Sequence, residues 1–488
     1  MNKPLRRVAV FCGLLVLALL LRDNWLQYVR ADELSTHATN KRVQIERYAN
    51  PRGNIIVDGK PITGSVDSKD EYYKFKRTYV DGPMWAPVTG YASQAYDANQ
   101  IEKIEDGILT GNDDRLFFDR TLAMFTGEQK KGGDVVTTLS GAAQKAAYEG
   151  LGDKTGAVVA IEPKTGKILA LASTPSYDPS TFAGYSRKDE KAWVALRDDK
   201  RKPMQNRALR EIYPPGSVFK VVTAAAALEN GNITDINKAT DTPEGWKIPL
   251  STIPMKNHAQ GCANASLNRA LEISCNSVFA KLGDEIGVKK MNEMAEKFGF
   301  NAEQFVPVRS AASVFDKAAE RGGNAQAAIG QFNTATTPLQ MAMVTAAIAN
   351  DGKLMKPYMI DELRAPNLDV LKKNEPEEMS QPVSPENAQL LQQMMENVVT
   401  NGTGGRADVK MDGVKVGGKT GTAQHGENNA KRPYAWFISY AKTDQGSPVA
   451  VAVIVEDAAG VSREDISGGG LAAPIARNVM KAVLKGQG

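Results

Sequence analysis

Residues 213–222 read YPPGSVFKVV, and an apolar run continues from there to Leu228. Two prolines and a glycine are typical of a helix start, so the pattern predicts a buried helix that begins near Ser217. Ser217 and Lys220 are three residues apart and would share one face of that helix. A serine at a helix start lies beside backbone N–H groups and can be deprotonated by a desolvated, neutral lysine. The alternative is a helix-capping serine with an exposed lysine.

The same Ser-x-x-Lys spacing occurs again at Ser439 and Lys442, within the segment YAWFISYAK. That segment is typical of a β-strand, in which residues three apart point to opposite faces. The second pair is therefore not expected to act together. Ser217 and Lys220 are the candidate nucleophile and base.

A second motif, Ser274-Cys275-Asn276, lies between the predicted helices ASLNRALEIS and NSVFAKLG. A loop between two helices can direct a hydroxyl and an amide into a cleft. A similar triplet begins at Ser266, but there the serine is predicted to cap the first helix. The alternative for Ser274 and Asn276 is a polar turn without a catalytic role.

The third motif lies in VGGKTGTAQ and consists of Lys419, Thr420, Gly421 and Thr422. The tripeptide KTG also occurs at 154–156, before a strand, and at 164–166, in a hairpin turn. Only the third copy continues a strand-like run, 414–418. Its lysine and threonines offer a cation and two hydroxyls. Gly421 would let an extended peptide with a terminal carboxylate lie against the strand.

The elements around these motifs predict a sheet with helices packed on its faces. Alternating apolar runs flank 163–166 as a β-hairpin, and a mostly helical region follows from about 217 to 350. Two more strands, YAWFISYAK and VAVAVIVED, precede a closing helix. A chain of 488 residues is expected to form two or three domains. We place a mixed α+β domain at 32–133 and the domain with the motifs at 134–488.

The N-terminus contains Lys3, Arg6 and Arg7, followed by the apolar run Val8–Leu21. Fourteen residues are short for a membrane span, which needs about 20, but apolar residues on both sides extend the run. The pattern predicts an uncleaved anchor within residues 1–31, with the basic end in the cytoplasm and the body of the protein exported. A signal peptide cleaved after Ala31 is the alternative.

The net charge is +4, from 60 basic and 56 acidic residues mixed along the chain, so we predict no nucleic-acid surface. His37, His258 and His425 lie far apart, without the spacing of metal ligands. Cys262 and Cys275 are close enough in sequence to form a disulfide in an oxidising compartment. Two small buried hydrophobic residues are the alternative reading of these cysteines.

The order of the three motifs is more specific than any one of them. Ser217 precedes Ser274 by 57 residues, and Ser274 precedes Lys419 by 145. Behind a membrane anchor, this set resembles the serine transpeptidases of the penicillin-binding protein family. Residues 50–55, NPRGNI, resemble the signature of class B, monofunctional members. The modest length and compact N-terminal domain are most similar to the actinobacterial PbpA type.

Two further segments match the class B pattern, IGQ at 329–331 and TPLQMA at 337–342. This chain departs from the pattern at Phe332, where the family often has glycine. It also departs at Asp58, which is followed directly by glycine, so the turn there is shorter. Both departures concern local loop geometry and not the catalytic set.

The resemblance implies an α/β transpeptidase domain, with helices on both faces of a central five-stranded antiparallel sheet, on an N-terminal pedestal. Ser217 would be the acylated nucleophile and Lys220 its base. Ser274 would relay a proton, and Asn276 would hold the substrate backbone and the base. Lys419 would supply positive potential, while Thr420 and Thr422 bind a carboxylate. The backbone N–H groups of Ser217 and Thr422 would form the oxyanion hole. A disulfide between Cys262 and Cys275 would order the loop that carries the second motif.

The implied reaction cross-links peptidoglycan without a metal or organic cofactor. Ser217 attacks the penultimate D-Ala carbonyl of a stem pentapeptide, and an amine of a neighbouring stem peptide then takes the acyl group. β-Lactams would acylate the same serine, and a SEDS-type membrane glycosyltransferase is the expected partner. A β-lactamase, a D,D-carboxypeptidase and a non-catalytic scaffold of the wall-synthesis complex are the alternatives.

Overall fold

The computed structural model describes residues 3–35, 40–117, 121, 125–127, 129–249, 251–252 and 254–486, so His37 lies outside the described residues. Helix α1, Lys3–Tyr28, has 26 residues and no buried side chain. At 1.5 Å per residue it is long enough, and it is apolar enough, to cross a bilayer. The predicted apolar run is thus the centre of a longer helix, which fits a single-pass membrane anchor.

The next part of the chain forms a pedestal of short elements. They are α2 (Ala31–Ser35), α3 (Lys41–Arg47), β1 (Ile55–Val57), β2 (Lys60–Pro61), β3 (Thr63–Asp67), β4 (Phe75–Tyr79), α4 (Gly82–Thr89), β5 (Ala92–Ser93), β6 (Asp97–Ala98), α5 (Gln100–Ile104) and α6 (Asp106–Thr110). This mixture agrees with the predicted α+β character of the region. Short elements bury little apolar surface each, so other contacts must hold the pedestal together.

A buried ion network lies at the centre of the pedestal. Glu102 of α5 is fully buried, and its carboxylate is 2.6 Å from Arg77 Nε and 3.0 Å from Arg52 Nη2. Arg52 also pairs with Asp106 at 2.7 Å. Burial alone would raise the pKa of Glu102, but the two guanidinium groups hold it below its ordinary value. The signature arginine at 52 is therefore a structural residue that links the segment before β1 to α5 and α6, and Arg77 links β4 to the same Glu102 carboxylate.

We expect Arg77→Met to lower the stability of the protein by about 3–5 kcal/mol, because the Glu102 carboxylate would stay buried with one partner fewer. Thermal unfolding of the detergent-solubilised chain measures this. Lys103→Met is the matched control, since Lys103 pairs with Asp97 at the surface and such pairs contribute about 1 kcal/mol or less. Equal effects of the two substitutions would contradict the assignment of Arg77 to a buried network.

A five-stranded sheet joins the pedestal to the rest of the chain. Strand β7 (Asp134–Thr137) pairs in parallel with β1 and antiparallel with β13 (Ile360–Arg364). With β14 (Val370–Lys373) and β2 the order is β14-β13-β7-β1-β2. Strands from three distant parts of the sequence meet here, so the pedestal is fixed by backbone hydrogen bonds and not by a linker alone.

The central sheet is antiparallel, with the order β16-β17-β18-β8-β9. Its strands are β8 (Thr155–Ile161), β9 (Ile168–Thr174), β16 (Lys415–Ala423), β17 (Tyr434–Thr443) and β18 (Gly446–Asp457). The predicted hairpin at 163–166 is the β8–β9 connection. The two strands predicted near the C-terminus are β17 and β18.

Helices cover both faces of this sheet, which confirms the predicted fold class. Val158 and Ala160 of β8 pack with α7 (Gly141–Leu151) and α17 (Ala473–Gly486) on one face. Ala157 and Val159 face the other side and pack in the core with α15 (Pro338–Ala349), in which every residue is buried. The alternation follows from the two-residue period of a strand.

The remaining elements form the helical part beside the sheet. Its helices are α8 (Arg187–Asp198), α9 (Arg207–Arg210), α10 (Lys220–Glu229), α11 (Leu267–Glu272), α12 (Asn276–Ile286), α13 (Val288–Lys297), α14 (Arg321–Ala327) and α16 (Pro385–Thr400), and its short strands are β10 (Gln304–Phe305), β11 (Arg309–Ser310), β12 (Leu354–Met355) and β15 (Glu378–Ser380). The turn before α10, Gly216–Phe219, is a 3-10 helix. The predicted helix at Ser217 therefore begins with one tighter turn.

Candidate active site

A cleft of about 1210 Å³ runs between β16 and the helical part of the fold. Ser217, Ser274, Asn276, Thr420 and Thr422 all line it. Residues from the three sequence motifs, which span 205 positions of the chain from Ser217 to Thr422, thus meet at one place. Lys220 and Lys419 lie directly beneath its surface, where both side chains are fully buried.

Ser217 is held at the end of β16 by close backbone packing. The Gly216 N–H donates to the Gly330 carbonyl at 2.9 Å, and both glycines have positive φ. A Cβ at Gly330 would lie 2.1 Å from the Gly216 oxygen, and one at Gly216 would lie 3.2 Å from the Thr422 oxygen. Only glycines allow these contacts, so the serine turn sits directly against the third motif.

Lys220 has the environment of a neutral amine. Burial, and then the positive charge of Lys419, lower the pKa of Lys220 well below its ordinary value. Its Nζ is 2.8 Å from the Ser274 carbonyl and 2.7 Å from Asn276 Oδ1, and both are acceptors. A neutral amine has two N–H groups and one lone pair. An amine that donates both N–H groups to these two acceptors keeps its lone pair for a hydroxyl proton, and the Ser274 hydroxyl is a third contact at 3.2 Å.

Ser274 lies between the two buried amines. Its Oγ is 3.2 Å from Lys220 Nζ and 2.9 Å from Lys419 Nζ. The backbone at Ser274 has φ of +65°, a conformation that a serine adopts only when its surroundings enforce it. One hydroxyl in contact with two amines provides a path for a proton between them.

The loop that carries the second motif is fixed on both sides of Ser274. Cys275 is joined by a disulfide to Cys262, and both cysteines are buried. Asn276 begins α12, where its N–H donates to Asn257 Oδ1 at 2.7 Å. The side-chain amide of Asn276 donates to the Lys256 carbonyl at 2.9 Å. The Asn276 Oδ1 is therefore oriented towards Lys220 by contacts on its other side.

Lys419 occupies the middle of β16 and points towards the second motif. Its Nζ contacts Ser274 Oγ and the Thr420 carbonyl, and burial lowers its pKa to about 7. Thr420 shares a hydrogen bond of 2.6 Å with Thr403, and Thr422 is exposed on the cleft wall. The amine of Lys419 thus lies beneath the cleft, and the two threonine hydroxyls of the same strand lie on the cleft wall.

Position 421 is a glycine for a reason that the sequence does not reveal. The motif predicts that this glycine admits a peptide backbone. In the structure, a Cβ at Gly421 would lie 3.0 Å from the Val218 side chain and 3.1 Å from the Pro215 carbonyl. The missing side chain therefore makes room for the serine turn beneath the strand, and not for a ligand in the cleft.

Several residues of the cleft carry no signal in the sequence. Thr403, Arg406, His258 and Gly468–Gly470 also line it. They lie in loops or in single 3-10 and π-helical turns, which are too short for a helical or strand period to assign a direction to a side chain. Within the ranges that the structure describes, no cluster of three His, Cys, Asp or Glu side chains has the arrangement of a metal site.

The second Ser-x-x-Lys pair is not part of the cleft. Ser439 is fully buried in β17, opposite Gly418, and Lys442 Nζ donates to Gln392 Oε1 at 2.6 Å. The strand separates the two side chains, as the alternation of a strand predicts.

Comparisons with known proteins agree with this geometry. Residues 156–481 match the family described as "Penicillin binding protein transpeptidase domain", and residues 52–135 match "Penicillin binding protein A dimerisation domain". The chain is 40% identical to the peptidoglycan D,D-transpeptidase PbpA of Mycolicibacterium smegmatis, with 99% of each chain covered. It is 38% identical to PbpA of Mycobacterium tuberculosis, with 100% of each chain covered.

Two solved structures of penicillin-binding protein A from M. tuberculosis share the fold. The ceftriaxone acyl-enzyme complex superimposes with a TM-score of 0.83 at 36% identity, covering 90% of this chain and 100% of that one. The penicillin G acyl-enzyme complex gives a TM-score of 0.82 at 37% identity, covering 89% of this chain and 100% of that one. The fold, the convergent motifs and the relatives along the whole length lead to one conclusion: this chain belongs to the class B penicillin-binding proteins, the serine D,D-transpeptidases of the PbpA type.

Proposed function

We propose that this protein is a peptidoglycan D,D-transpeptidase that works through an acyl-enzyme on Ser217. The observation that carries the proposal is the position of Ser274 Oγ between the two buried amines, in the cleft that Ser217 lines. The relatives named D,D-transpeptidase, and the acyl-enzyme structures of one of them, support it. The proposed division of the chain, anchor 1–31, pedestal 32–133 and catalytic domain 134–488, is supported by the start of β7 just after Gly133.

In the first step, the Ser217 hydroxyl attacks the carbonyl carbon of the penultimate D-Ala of a stem pentapeptide. Lys220 takes the hydroxyl proton on its free lone pair. The negative charge that develops on the carbonyl oxygen is stabilised by the backbone N–H groups of Ser217 and Thr422. The proton then passes by way of Ser274 to the leaving nitrogen, and the terminal D-Ala departs as a neutral amine.

In the second step, an amine of a neighbouring stem peptide attacks the same carbonyl carbon. The path runs in reverse, so that the amine loses a proton towards Lys220 and the Ser217 oxygen regains one. Asn276 holds the peptide backbone of the donor. Lys419, with Thr420 and Thr422, binds its terminal carboxylate before the first step.

A fluorescent penicillin followed over time on a denaturing gel tests this function. A stable label that peptide mapping assigns to Ser217 is the expected result. A label that is lost within seconds would instead indicate a β-lactamase. A stem pentapeptide that releases D-Ala at the same rate with or without an added amine, and forms no cross-link, would indicate a D,D-carboxypeptidase. If the folded protein takes up no label, the remaining alternative is a non-catalytic scaffold of the wall-synthesis complex.

The proposed topology places the catalytic domain outside the cytoplasmic membrane. Lys3, Arg6 and Arg7 precede the apolar part of α1, and basic residues favour the cytoplasmic side. Protease added to spheroplasts should therefore degrade the body of the protein, and its protection would contradict this orientation. A SEDS-type glycosyltransferase is the proposed membrane partner, and co-purification of the two proteins in mild detergent tests the pairing.

We predict that the disulfide orders the second motif. The double variant Cys262→Ser with Cys275→Ser should lower the free energy of unfolding by about 2–4 kcal/mol and slow penicillin acylation about tenfold or more. Cys12→Ser is the control, because Cys12 lies in α1, away from the cleft. If a thiol count on unfolded, exported protein finds Cys262 and Cys275 reduced, or if the double variant acylates at the wild-type rate, the prediction is wrong.

A further inference from the structure

The far end of the cleft is closed by residues 403–406, which connect α16 to β16. Thr403 Oγ1 is 2.6 Å from Thr420 Oγ1, so this segment lies directly against the third motif. A Cβ at Gly469 would lie 2.6 Å from the Thr403 carbonyl and 3.5 Å from Thr420 Cγ2. Arg406 Nη1 donates to the carbonyl of the next residue, Gly470, at 3.4 Å. Thr403, Thr420 and Arg406 therefore all line this end of the cleft.

Arg406 is the cation in this region with unused hydrogen-bonding capacity. A guanidinium has five N–H donors, and among the described contacts Arg406 makes only the single long bond to Gly470. Its side chain is exposed on the cleft, and in the part of the chain that the structure describes no carboxylate lies within ion-pair distance of it. Glu464, which also lines the cleft, takes part in none of the described ion pairs.

Arg463 lines the same cleft, but the donors of its guanidinium are occupied. Its guanidinium donates to the carbonyls of Asn429, Ala430 and Lys431, and to the side-chain oxygen of Gln424. These contacts fix a loop and leave little capacity for a ligand. Arg406 has no such role, so its planar fork of donors is available for an anion that enters the cleft.

The distance between Thr420 and Thr422 along β16 indicates which anion would bind beside Arg406. Thr422 contacts the turn that carries Ser217, and Thr420 lies two residues further along the same face, about 6.5–7 Å away. In a bound donor peptide, the terminal carboxyl carbon lies one residue beyond the scissile carbonyl carbon, about 3.5 Å away in an extended chain. A carboxylate one residue beyond the scissile carbonyl would therefore lie on the Thr420 side of the cleft, where Arg406 also lines the wall.

We infer that Arg406 binds the terminal carboxylate of the donor peptide, and that Thr403 orients the Thr420 hydroxyl towards the same carboxylate. The inference rests on the proposed function and adds a specificity-determining residue outside the three motifs. Arg406 selects substrates with a free C-terminal carboxylate, and it does not take part in the bond-making steps at Ser217.

The test compares two thioester substrates of the full-length, detergent-solubilised protein, an N-acyl-D-alanyl thioglycolate and its methyl ester. Arg406→Gln should lower kcat/KM for the free acid by about tenfold to a hundredfold and leave kcat/KM for the ester within twofold. For the free acid, kcat/KM of Arg406→Lys should lie between the values of the wild type and Arg406→Gln. Thr403→Val should lower kcat/KM about threefold to tenfold for the free acid and leave kcat/KM for the ester unchanged. Lys415→Gln removes the same charge at the far, exposed end of β16 and should leave kcat/KM unchanged for both substrates.

The outcomes separate this inference from the proposed function. Equal losses on both substrates in Arg406→Gln would mean a structural role, and unchanged kinetics with the free acid would mean no role; each result overturns the inference. If Arg406→Gln does not fold, the acid-to-ester ratio of Arg406→Lys decides in its place. If the wild type and Ser217→Ala turn over the thioesters equally, the proposed function itself is wrong.

Discussion

Ser217→Ala should abolish covalent labelling by penicillin and the release of D-Ala, while the protein stays folded. The substitution removes the atom that forms the acyl bond. The rates should therefore fall below about 10⁻⁴ of the wild-type values. The side chain is only half-buried in the 3-10 turn, and no described hydrogen bond of the fold depends on its hydroxyl, so thermal unfolding should change little. A label that persists in Ser217→Ala would place the nucleophile elsewhere.

Ser439→Ala is the matched control, because it alters the other Ser-x-x-Lys pair of the chain. Ser439 is fully buried in β17, and its Oγ has no partner among the residues that the structure describes. Removal of a buried hydroxyl without a partner should leave stability unchanged or raise it by up to about 1 kcal/mol. Penicillin labelling should stay at the wild-type level. Loss of labelling here would mean that the two serine motifs cannot be distinguished by their position on a helix or a strand.

The choice between these two serines shows what the sequence can establish. A proline-glycine start and an apolar run assign Ser217 to a helix face, and alternation assigns Ser439 to a strand. The same local patterns predict the hairpin of β8 and β9, the strands β17 and β18, and the helix cap at Ser266, where the side chain accepts the Arg269 N–H. Each of these features depends on residues that are near one another in the chain.

The features that the sequence does not reveal depend on contacts between distant segments. The reason for a glycine at 421 is the turn around Pro215 beneath it, some two hundred residues away. Thr403 and Arg406 reach the cleft because α16 ends beside β16. The role of Arg52 follows from a carboxylate in α5 that no periodicity links to it. Such pairings are set by tertiary packing.

Lys220→Met should slow penicillin acylation by at least about 10³-fold, because the Ser217 hydroxyl would lose its base. Methionine fills a similar volume but has no lone pair that takes the proton at neutral pH. Stopped-flow or gel-based acylation rates measure the effect. Lys281→Met is the control: its ammonium contacts Asp241 and Glu285 outside the cleft, so the rate should stay within about twofold. Acylation of Lys220→Met near the wild-type rate would show that another group is the base.

The pH dependence separates the loss of a base from a loss of structure. Burial and the charge of Lys419 lower the pKa of Lys220, so acylation should fall as pH drops through that folded-state pKa and the amine takes up a proton. The lowered pKa of Lys220 also makes the free energy of unfolding depend on pH. Between the folded-state pKa and the ordinary value of 10.5, the unfolded chain binds one proton more than the folded protein does. The free energy of unfolding therefore rises with pH in this window.

In Lys220→Met that contribution to the pH dependence disappears. The slope of the free energy of unfolding against pH should then be smaller than in the wild type by up to about 1.4 kcal/mol per pH unit, at pH values above the folded-state pKa and below 10.5. Thermal unfolding at several pH values measures the difference, and Lys281→Met should keep the wild-type slope. An unchanged slope in Lys220→Met would mean that the amine is protonated in the folded protein. A charged ammonium could not accept the Ser217 proton, so the same result would remove Lys220 as the base.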